Sequence, residues 1–337
     1  MQGLEGIALG ELRRVLGKLA SLPAQAPLDS GALSFSYRGR LADLLKLKTV
    51  SSVYLRLRHA VPRPLGLLGH QHLTALLGQI ETARGLWPKG TFQTFYISAA
   101  GAESSVMERL KDELSARTGL DVGSHEGDLL LRIRRPDDSS PGWETLVRLS
   151  PRPLAAREWR VCNYEGALNA CTAHAMNLLT EPVTEDRYLN LACGSGSLLI
   201  ERLSWGAARR SIGIDLDPGA LDCTRQNLAA SGFSRRVTLL QADAADLPLA
   251  AGSFDVITAD LPFGHLVGSH EQNLALYPLI LDEAARLTRR GARLCLISHE
   301  VRLLESLLAE RGEWRLLQSL RVWQGGLHPR IYLLKRL

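Results

Sequence analysis

From residue 187 onward the chain repeats one pattern: a short apolar strand, a turn carrying a polar residue, then an amphipathic helix. RYLNLA (187–192), RSIGID (210–215), RVTLLQA (236–242), FDVITA (254–259) and ARLCLIS (292–298) read as strands. GALDCTRQNLAAS (219–231), NLALYPLILDEAARLT (273–288) and VRLLESLLAERG (301–312) read as helices between them. Strands that alternate with helices pair in parallel, because a parallel neighbour needs a crossover connection. The expected fold is therefore α/β, a Rossmann-like, mostly parallel, doubly wound sheet. The closing stretch WRLLQSLRVWQGGLHPRIYLLKR (314–336) reads as two strands about a Gln-Gly-Gly turn and adds an antiparallel hairpin at the edge.

The first half lacks this rhythm. Residues 3–17 form an amphipathic helix, GALSFSY (31–37) and VSSVYLRLR (50–58) read as strands, and VPRPLG (61–66) punctuates the chain with two prolines and a glycine. A helix near 70–84, the strand TFQTFYIS, a helix over 103–119 and the strands DLLLRI and TLVRLS follow, before a second proline-bearing connector, SPRPLAAREWR (150–160). A length of 337 residues is too great for one ordinary core. The expected division is 1–62, 63–155 and 156–337, with two small α+β units ahead of the α/β domain.

Charge follows the same division. Residues 1–180 hold 22 Lys and Arg against 17 Asp and Glu, while the remaining 18 and 18 cancel, so the net +5 belongs to the first half. This suits a polyanion-binding front and a catalytic back. No apolar run is long enough to span a bilayer, and the amphipathic start is not a signal peptide, so a cytoplasmic protein without membrane partners is expected. The five cysteines form no Cys-x-x-Cys pair and gather no histidines, so reduced thiols and no metal site are expected.

The strand ends carry the chemistry. Asn190-Leu191-Ala192-Cys193-Gly194-Ser195-Gly196 occupies the first strand-to-helix turn, where glycines let a backbone approach a ligand at a helix N-terminus. A dinucleotide site wants a third glycine where Leu199 stands, which argues against a nicotinamide or flavin oxidoreductase. The second strand ends in Asp215 followed by Leu216, at the spacing where a carboxylate meets ribose hydroxyls. The third leads to Asp243 and Ala244, suited to an adenine amino group, and the fourth to Asp260 in ADLPFGH. Asp217, Asp222 and Asp246 read as solvated helix caps.

These residues together resemble the class I S-adenosylmethionine-dependent methyltransferases. ADLPFG is similar to their (Asp/Asn)-Pro-Pro-(Tyr/Phe) motif for exocyclic amino nitrogens. The physics agrees with that use. An aryl amine donates its lone pair poorly, and two acceptors on its N–H bonds favour a pyramidal nitrogen. Asp260 and the Leu261 carbonyl are the two acceptors, Pro262 holds Leu261 extended, and Phe263 offers a face for a flipped base.

The resemblance extends along the chain. WRVCNYEGALNACTAHAM (159–176) and CGSGS look like the corresponding segments of the THUMP-domain RNA guanine-N2-methyltransferases, the TrmN-like group of tRNA methyltransferases. GLEGIALGELRRVLG (3–17) is similar to the start of their ferredoxin-like domain, and RLSPRPLAAREWR (148–160) to the end of their THUMP domain. Asn190, Ala170 and Leu261 depart from the pattern, standing where Asp, Pro and Pro are usual. The resemblance implies a ferredoxin-like domain over 1–62, a THUMP RNA-binding domain over 63–155 and the methyltransferase domain over 156–337. It implies S-adenosylmethionine held by Asn190, Cys193, Gly194, Ser195, Gly196, Asp215, Leu216, Asp243 and Ala244, and catalysis at Asp260, Leu261, Pro262 and Phe263. The implied substrate is tRNA rather than DNA, methylated by a monomer at an acceptor-stem guanosine, position 6. Arg148, Arg152, Arg157 and Arg160 on the connector are the expected phosphate contacts. Two alternatives stand beside this reading: an rRNA guanine-N2-methyltransferase, and an RNA-binding THUMP protein whose methyltransferase half has decayed.

Overall fold

A computed structural model describes residues 2–27, 29–123, 126–262, 269–323 and 326–337. In chain order its regular elements begin with α1 (Glu5–Leu16), β1 (Ala20–Ser21), β2 (Ser36–Tyr37), β3 (Tyr54–His59), α2 (His70–Arg84) and β4 (Thr94–Ala99). They continue with α3 (Ser105–Thr118), β5 (Asp121–Val122), β6 (Leu129–Arg134), β7 (Trp143–Arg148), α4 (Ala170–Leu179) and β8 (Arg187–Leu191). Next come α5 (Ser197–Trp205), β9 (Arg210–Asp215), α6 (Pro218–Ser231), β10 (Thr238–Gln241), β11 (Phe254–Asp260) and α7 (His270–Leu287). The last are β12 (Thr288–Ser298), α8 (Val301–Ala309), β13 (Trp314–Arg321) and β14 (Arg330–Arg336).

Two compact units share these elements, Met1–Tyr37 with Ala155–Leu337, and Arg38–Leu154. The larger unit is built on a seven-stranded sheet of order β10-β9-β8-β11-β12-β14-β13. Strands β8 to β12 run parallel, and β13 and β14 close one edge as the antiparallel hairpin expected from the sequence. The chain moves outward from β8 through β9 to β10, then returns to place β11 on the other side of β8. Such a reversal opens a crevice at the carboxyl ends of the two central strands. Register brings those ends level: Asn190 pairs with Gly213 and Thr258, Asp215 with Gln241, and Asp260 with Ile297. Both sides are packed, with Leu189, Ile212, Ile257 and Leu294 in one fully buried cluster and Tyr188, Leu199 and Val256 in another. Strands buried on both faces must be apolar throughout, which is why they read so clearly in sequence.

Residues 1–37, expected in a domain ending at 62, belong instead to this unit. The reason is the apolar stripe of α1. Leu4 is buried with Met176, Leu198, Ile297 and Ile331, and Ile7 packs on the same cluster. The strand expected over 31–37 is reduced to Ser36–Tyr37, paired with Ala20–Ser21.

The smaller unit carries a five-stranded sheet of order β3-β7-β6-β4-β5, with α2 packed on β3 and β7. Its inward residues include Phe95, Ile97, Leu131, Ile133 and Val147, which face Leu76, Ile80 and Leu114 of the helices in a core less than about 2% exposed. Among the described residues no helix is long and apolar enough to cross a membrane.

Candidate functional site

The loop after β8 is shaped by its backbone. Ala192, Gly194 and Gly196 all take positive φ, at 47°, 54° and 80°, and Gly196 caps α5. A Cβ built on Gly194 would meet no atom within 4 Å, so the loop presents open space that a side chain would fill. Gly196 differs, because its Cβ would press on Thr224 at 3.0 Å. The loop is pinned on both flanks. Cys193 N–H donates to the Ile214 carbonyl at 2.8 Å, and Thr224 Oγ1 donates to the Gly194 carbonyl at 2.6 Å.

Asp215, at the tip of β9, accepts the Gly194 N–H on Oδ2 at 2.8 Å and the Asp217 N–H on Oδ1 at 3.1 Å. Leu216 beside it is 64% exposed, and Asp243 accepts the Ala245 N–H at 2.9 Å while remaining exposed. Asn190 is buried, and its Nδ2 donates to the carbonyls of Leu191 and Thr258 at 3.1 Å each, tying β8 to β11. Its Oδ1 is a buried acceptor with no partner among the described residues. The Cys193 thiol is pushed up to about 12, chiefly by burial and then by the Asp215 carboxylate, so it stays protonated.

Asp260 ends β11 opposite this loop. Burial pushes its carboxyl up to about 7, far above the usual carboxylate range. The next two residues are fixed by backbone bonds: Leu261 N–H donates to the Ile297 carbonyl at 3.0 Å, and the Pro262 carbonyl accepts the Tyr277 hydroxyl at 2.6 Å. Tyr277, fully buried on α7, also meets Ser298 Oγ at 2.8 Å, and Ser298 Oγ accepts the Glu300 N–H at 2.9 Å. Phe263, the fourth residue of the motif, lies outside the described residues.

One cavity of about 450 Å³ joins the glycine loop, Asp215, Leu216, Asp243, Ala244 and the Asp260-Leu261-Pro262 turn. Of the cofactor-binding residues expected from the sequence, Asn190 and Gly196 do not line this cavity: Asn190 braces the strands behind it, and Gly196 caps α5. Tyr164 and Asp217 line the same cavity and were not anticipated. Asp217 caps α6 through the Gly219 N–H at 2.8 Å, as expected, and in addition accepts the Tyr164 hydroxyl. Asn227 was also missed. Its Oδ1 accepts the N–H groups of Val161 and Cys162 at 3.0 and 2.9 Å, and its Nδ2 donates to the carbonyls of Cys162 and Ser195 at 3.0 and 2.9 Å. This amide binds the segment before α4 to the glycine loop.

Two expectations need correcting. Cys162 and Cys223 form a disulfide rather than free thiols, with Cα atoms 5.4 Å apart. A separation of 61 residues hides this pairing in the sequence, and α6 creates it by placing Cys223 one turn before Asn227. The four connector arginines are not four free phosphate contacts. Arg148 is 7% exposed and donates to the carbonyls of Ser150, Asp128 and Pro151. Arg157 pairs with the buried Glu201 at 2.8 Å, and Arg160 donates to the Leu168 carbonyl and Ser197 Oγ. Arg152 alone of the four is exposed. The other three already donate to groups of the fold: backbone carbonyls, the buried Glu201 carboxylate and the Ser197 hydroxyl.

The cavity suits S-adenosylmethionine. Space at Gly194 admits a ligand close to the backbone, while the acceptors Asp215 and Asp243 suit hydroxyl and amino donors. The carboxylates together give a field favourable to a sulfonium and an ammonium group.

Comparison with known proteins agrees with this geometry. The chain is 31% identical over 182 residues to the mouse tRNA (guanine(6)-N(2))-methyltransferase THUMP3, covering 50% of this chain and 36% of that protein. It is 32% identical over 192 residues to a tRNA (guanine(6)-N2)-methyltransferase of Thermus thermophilus, covering 57% of this chain and 56% of that protein. The chain thus spans between about a third and somewhat over half the length of these relatives. The solved structure of TrmN from Thermus thermophilus superposes with a TM-score of 0.73 and 26% identity, covering 99% of this chain and 97% of that one. The seven-stranded sheet is that of a class I methyltransferase. Residues 157–330 match the family model described as UPF0020, RMKL-like, methyltransferase domain. That match covers more than half of the chain and contains the glycine loop, the three strand-end carboxylates and the Asp260 turn, so the chain belongs to the UPF0020 family of RMKL-like methyltransferase domains.

Proposed function

We propose that the protein is a tRNA guanine-N2-methyltransferase acting on the exocyclic amine of an acceptor-stem guanosine, with position 6 as the target. The observation that carries this reading is the shared cavity, in which Asp260 and Leu261 face the glycine loop and Asp215. The printed activities of the mouse and Thermus relatives support the choice of guanine N2 and of tRNA. On this reading residues 63–155 form the THUMP RNA-binding domain. Exposed Arg152 remains a phosphate contact, while Arg148, Arg157 and Arg160 hold the fold.

S-adenosylmethionine, held by the glycine loop, Asp215, Leu216, Asp243 and Ala244, supplies an electrophilic methyl group. The protein's part is to make an unreactive amine nucleophilic. The Asp260 carboxylate and the Leu261 carbonyl accept the two N–H bonds, turning the nitrogen lone pair out of conjugation. Asp260, with its carboxyl near 7, takes the proton that the nitrogen releases. Tyr277 holds the Pro262 carbonyl and so keeps the Leu261 carbonyl from rotating away. Positioning of the two partners then lowers the barrier without further covalent chemistry.

Incubating the full chain with unmodified tRNA and methyl-labelled S-adenosylmethionine tests the reading. Label should enter tRNA with the wild type and not with Asp260→Ala. Equal labelling by both would remove the assignment of the turn.

A further inference from the structure

Residues 164–168, just ahead of α4, line the cofactor cavity together with the glycine loop and with Asp217 at the start of α6. They belong to no helix or strand. The Ala167 N–H donates to the Tyr164 carbonyl at 3.0 Å and closes a turn in which Gly166 takes a φ of 73°. An irregular segment of this kind keeps one shape only where its ends are held.

Both ends are held. At the α4 end, Arg160 donates to the Leu168 carbonyl at 2.7 Å, and Leu168 is buried with Leu4 and Met176. At the other end the ties all come from α6. Cys223 is bonded to Cys162, Asn227 accepts the Val161 and Cys162 N–H groups, and Asp217 accepts the Tyr164 hydroxyl. Thr224 of the same helix holds the Gly194 carbonyl, so α6 fixes two walls of the cavity at once. Of these ties only the disulfide is covalent, and a change of redox state alone can cut it.

The two sulfurs differ in access. Cys223 is 2% exposed, whereas Cys162 is partly exposed, so an incoming thiolate meets Cys162. The other cysteines, Cys171, Cys193 and Cys295, are buried, and burial keeps their thiols protonated and out of the exchange.

We propose that residues 161–168 form a clasp on the cofactor whose grip is set by the redox state of Cys162 and Cys223. With the disulfide intact the clasp is fixed to α6 and S-adenosylmethionine is held tightly. A dithiol reductant opens it. One thiolate of the reductant attacks Cys162 Sγ, and the Cys223 sulfur leaves with the electron pair and takes up a proton. The second thiolate then attacks the reductant's own sulfur in the mixed disulfide and releases Cys162, which is protonated in turn. The protein gains two electrons and two protons, and the reductant ends as a disulfide. Held by hydrogen bonds alone, the segment must be ordered at the expense of cofactor binding. The inference deepens the proposed function by naming a regulation of its cofactor site, and it rests on that reading only for the use of S-adenosylmethionine.

Isothermal titration calorimetry of the full chain with S-adenosylhomocysteine, oxidised or in excess dithiothreitol, tests it. The dissociation constant should be about tenfold higher in the reduced protein and should return on reoxidation. Cys162→Ser/Cys223→Ser should bind like the reduced wild type and ignore the reductant. Coupling is reciprocal, so saturating S-adenosylhomocysteine should lower the midpoint potential of the pair by about 30 mV, a tenfold factor for two electrons. That titration needs only the wild-type chain. Equal dissociation constants in the two redox states, or an unmoved midpoint, would overturn the proposal. Loss of near-ultraviolet circular dichroism on reduction would also overturn it, because general unfolding would then account for the weaker binding. Cofactor affinity that follows redox state in a protein that labels no tRNA would support the clasp and refute the proposed activity.

Discussion

The Gly194 N–H donates to Asp215 Oδ2 at 2.8 Å, so the acid that faces the cavity also holds the glycine loop in shape. One side chain thus has two tasks. Asp215→Ala should weaken S-adenosylhomocysteine binding by about 1.5–3 kcal/mol, roughly ten- to a hundredfold, through loss of charge-assisted bonds. Asp215→Asn keeps one carbonyl acceptor and should lose less. Isothermal titration calorimetry measures both, and an unchanged dissociation constant in Asp215→Ala would remove the residue from the cofactor site.

Asp260 makes a pH prediction with a definite sign. Its native carboxyl titrates near 7, against about 3.9 when unfolded, so between those values the native state binds a proton that the unfolded state lacks. Stability contributed by this group is fully present below about pH 4 and is lost as pH rises through about 7. Asp260→Asn should therefore match the wild type near pH 4 and melt higher at pH 8. Turnover should show the opposite trend, rising in the wild type as the carboxylate ionises and falling about a hundredfold or more in Asp260→Asn. Differential scanning calorimetry and initial rates across pH 5–8 check the two halves separately.

Tyr277 acts through the turn rather than on the substrate. Tyr277→Phe leaves the Pro262 carbonyl and Ser298 Oγ without their shared partner while preserving the ring in the core. The expected result is a kcat lowered about tenfold, the equivalent of one displaced hydrogen bond, with cofactor affinity unchanged. An equal rise in the cofactor dissociation constant would mean that the hydroxyl supports the whole cavity and not the turn alone.

The disulfide joins the segment before α4 to α6 beside the glycine loop. Closing a loop of this length restricts the unfolded chain by about 4 kcal/mol in the chain-entropy account. A thiol reductant should lower the melting temperature of the wild type and leave Cys162→Ser/Cys223→Ser unmoved. Peptide mapping without reduction should recover the two cysteines in one linked fragment, and two separate free-thiol peptides would contradict the pairing.

The parallel sheet was legible because burial on both faces makes its central strands largely apolar and because a polar residue, Asn190, Asp215, Gln241, Asp260 or Ser298, stands at or next to the end of each. RSIGID maps onto Arg210–Asp215 residue for residue. Asp215, Asp243 and Asp260 were singled out by their place at or after the ends of such strands, and all three line the cavity. Asn227 and Tyr277 were not, since a polar residue inside a helix carries no local sign of what it will meet across the fold. The arginines of the connector failed for a related reason. Sequence reports charge but not whether a carbonyl already takes the bond, as Ser150 and Pro151 do for Arg148.

Everything proposed at the Asp260 turn depends on the atom that receives the methyl group. Nucleoside mass spectrometry of tRNA treated with the full chain and isotopically labelled S-adenosylmethionine reads that atom directly. The account predicts labelled N2-methylguanosine, recovered in the acceptor-stem fragment that contains position 6. Label in a ribose, in an adenine or on a guanine atom other than N2, or no label in tRNA at all, would contradict it.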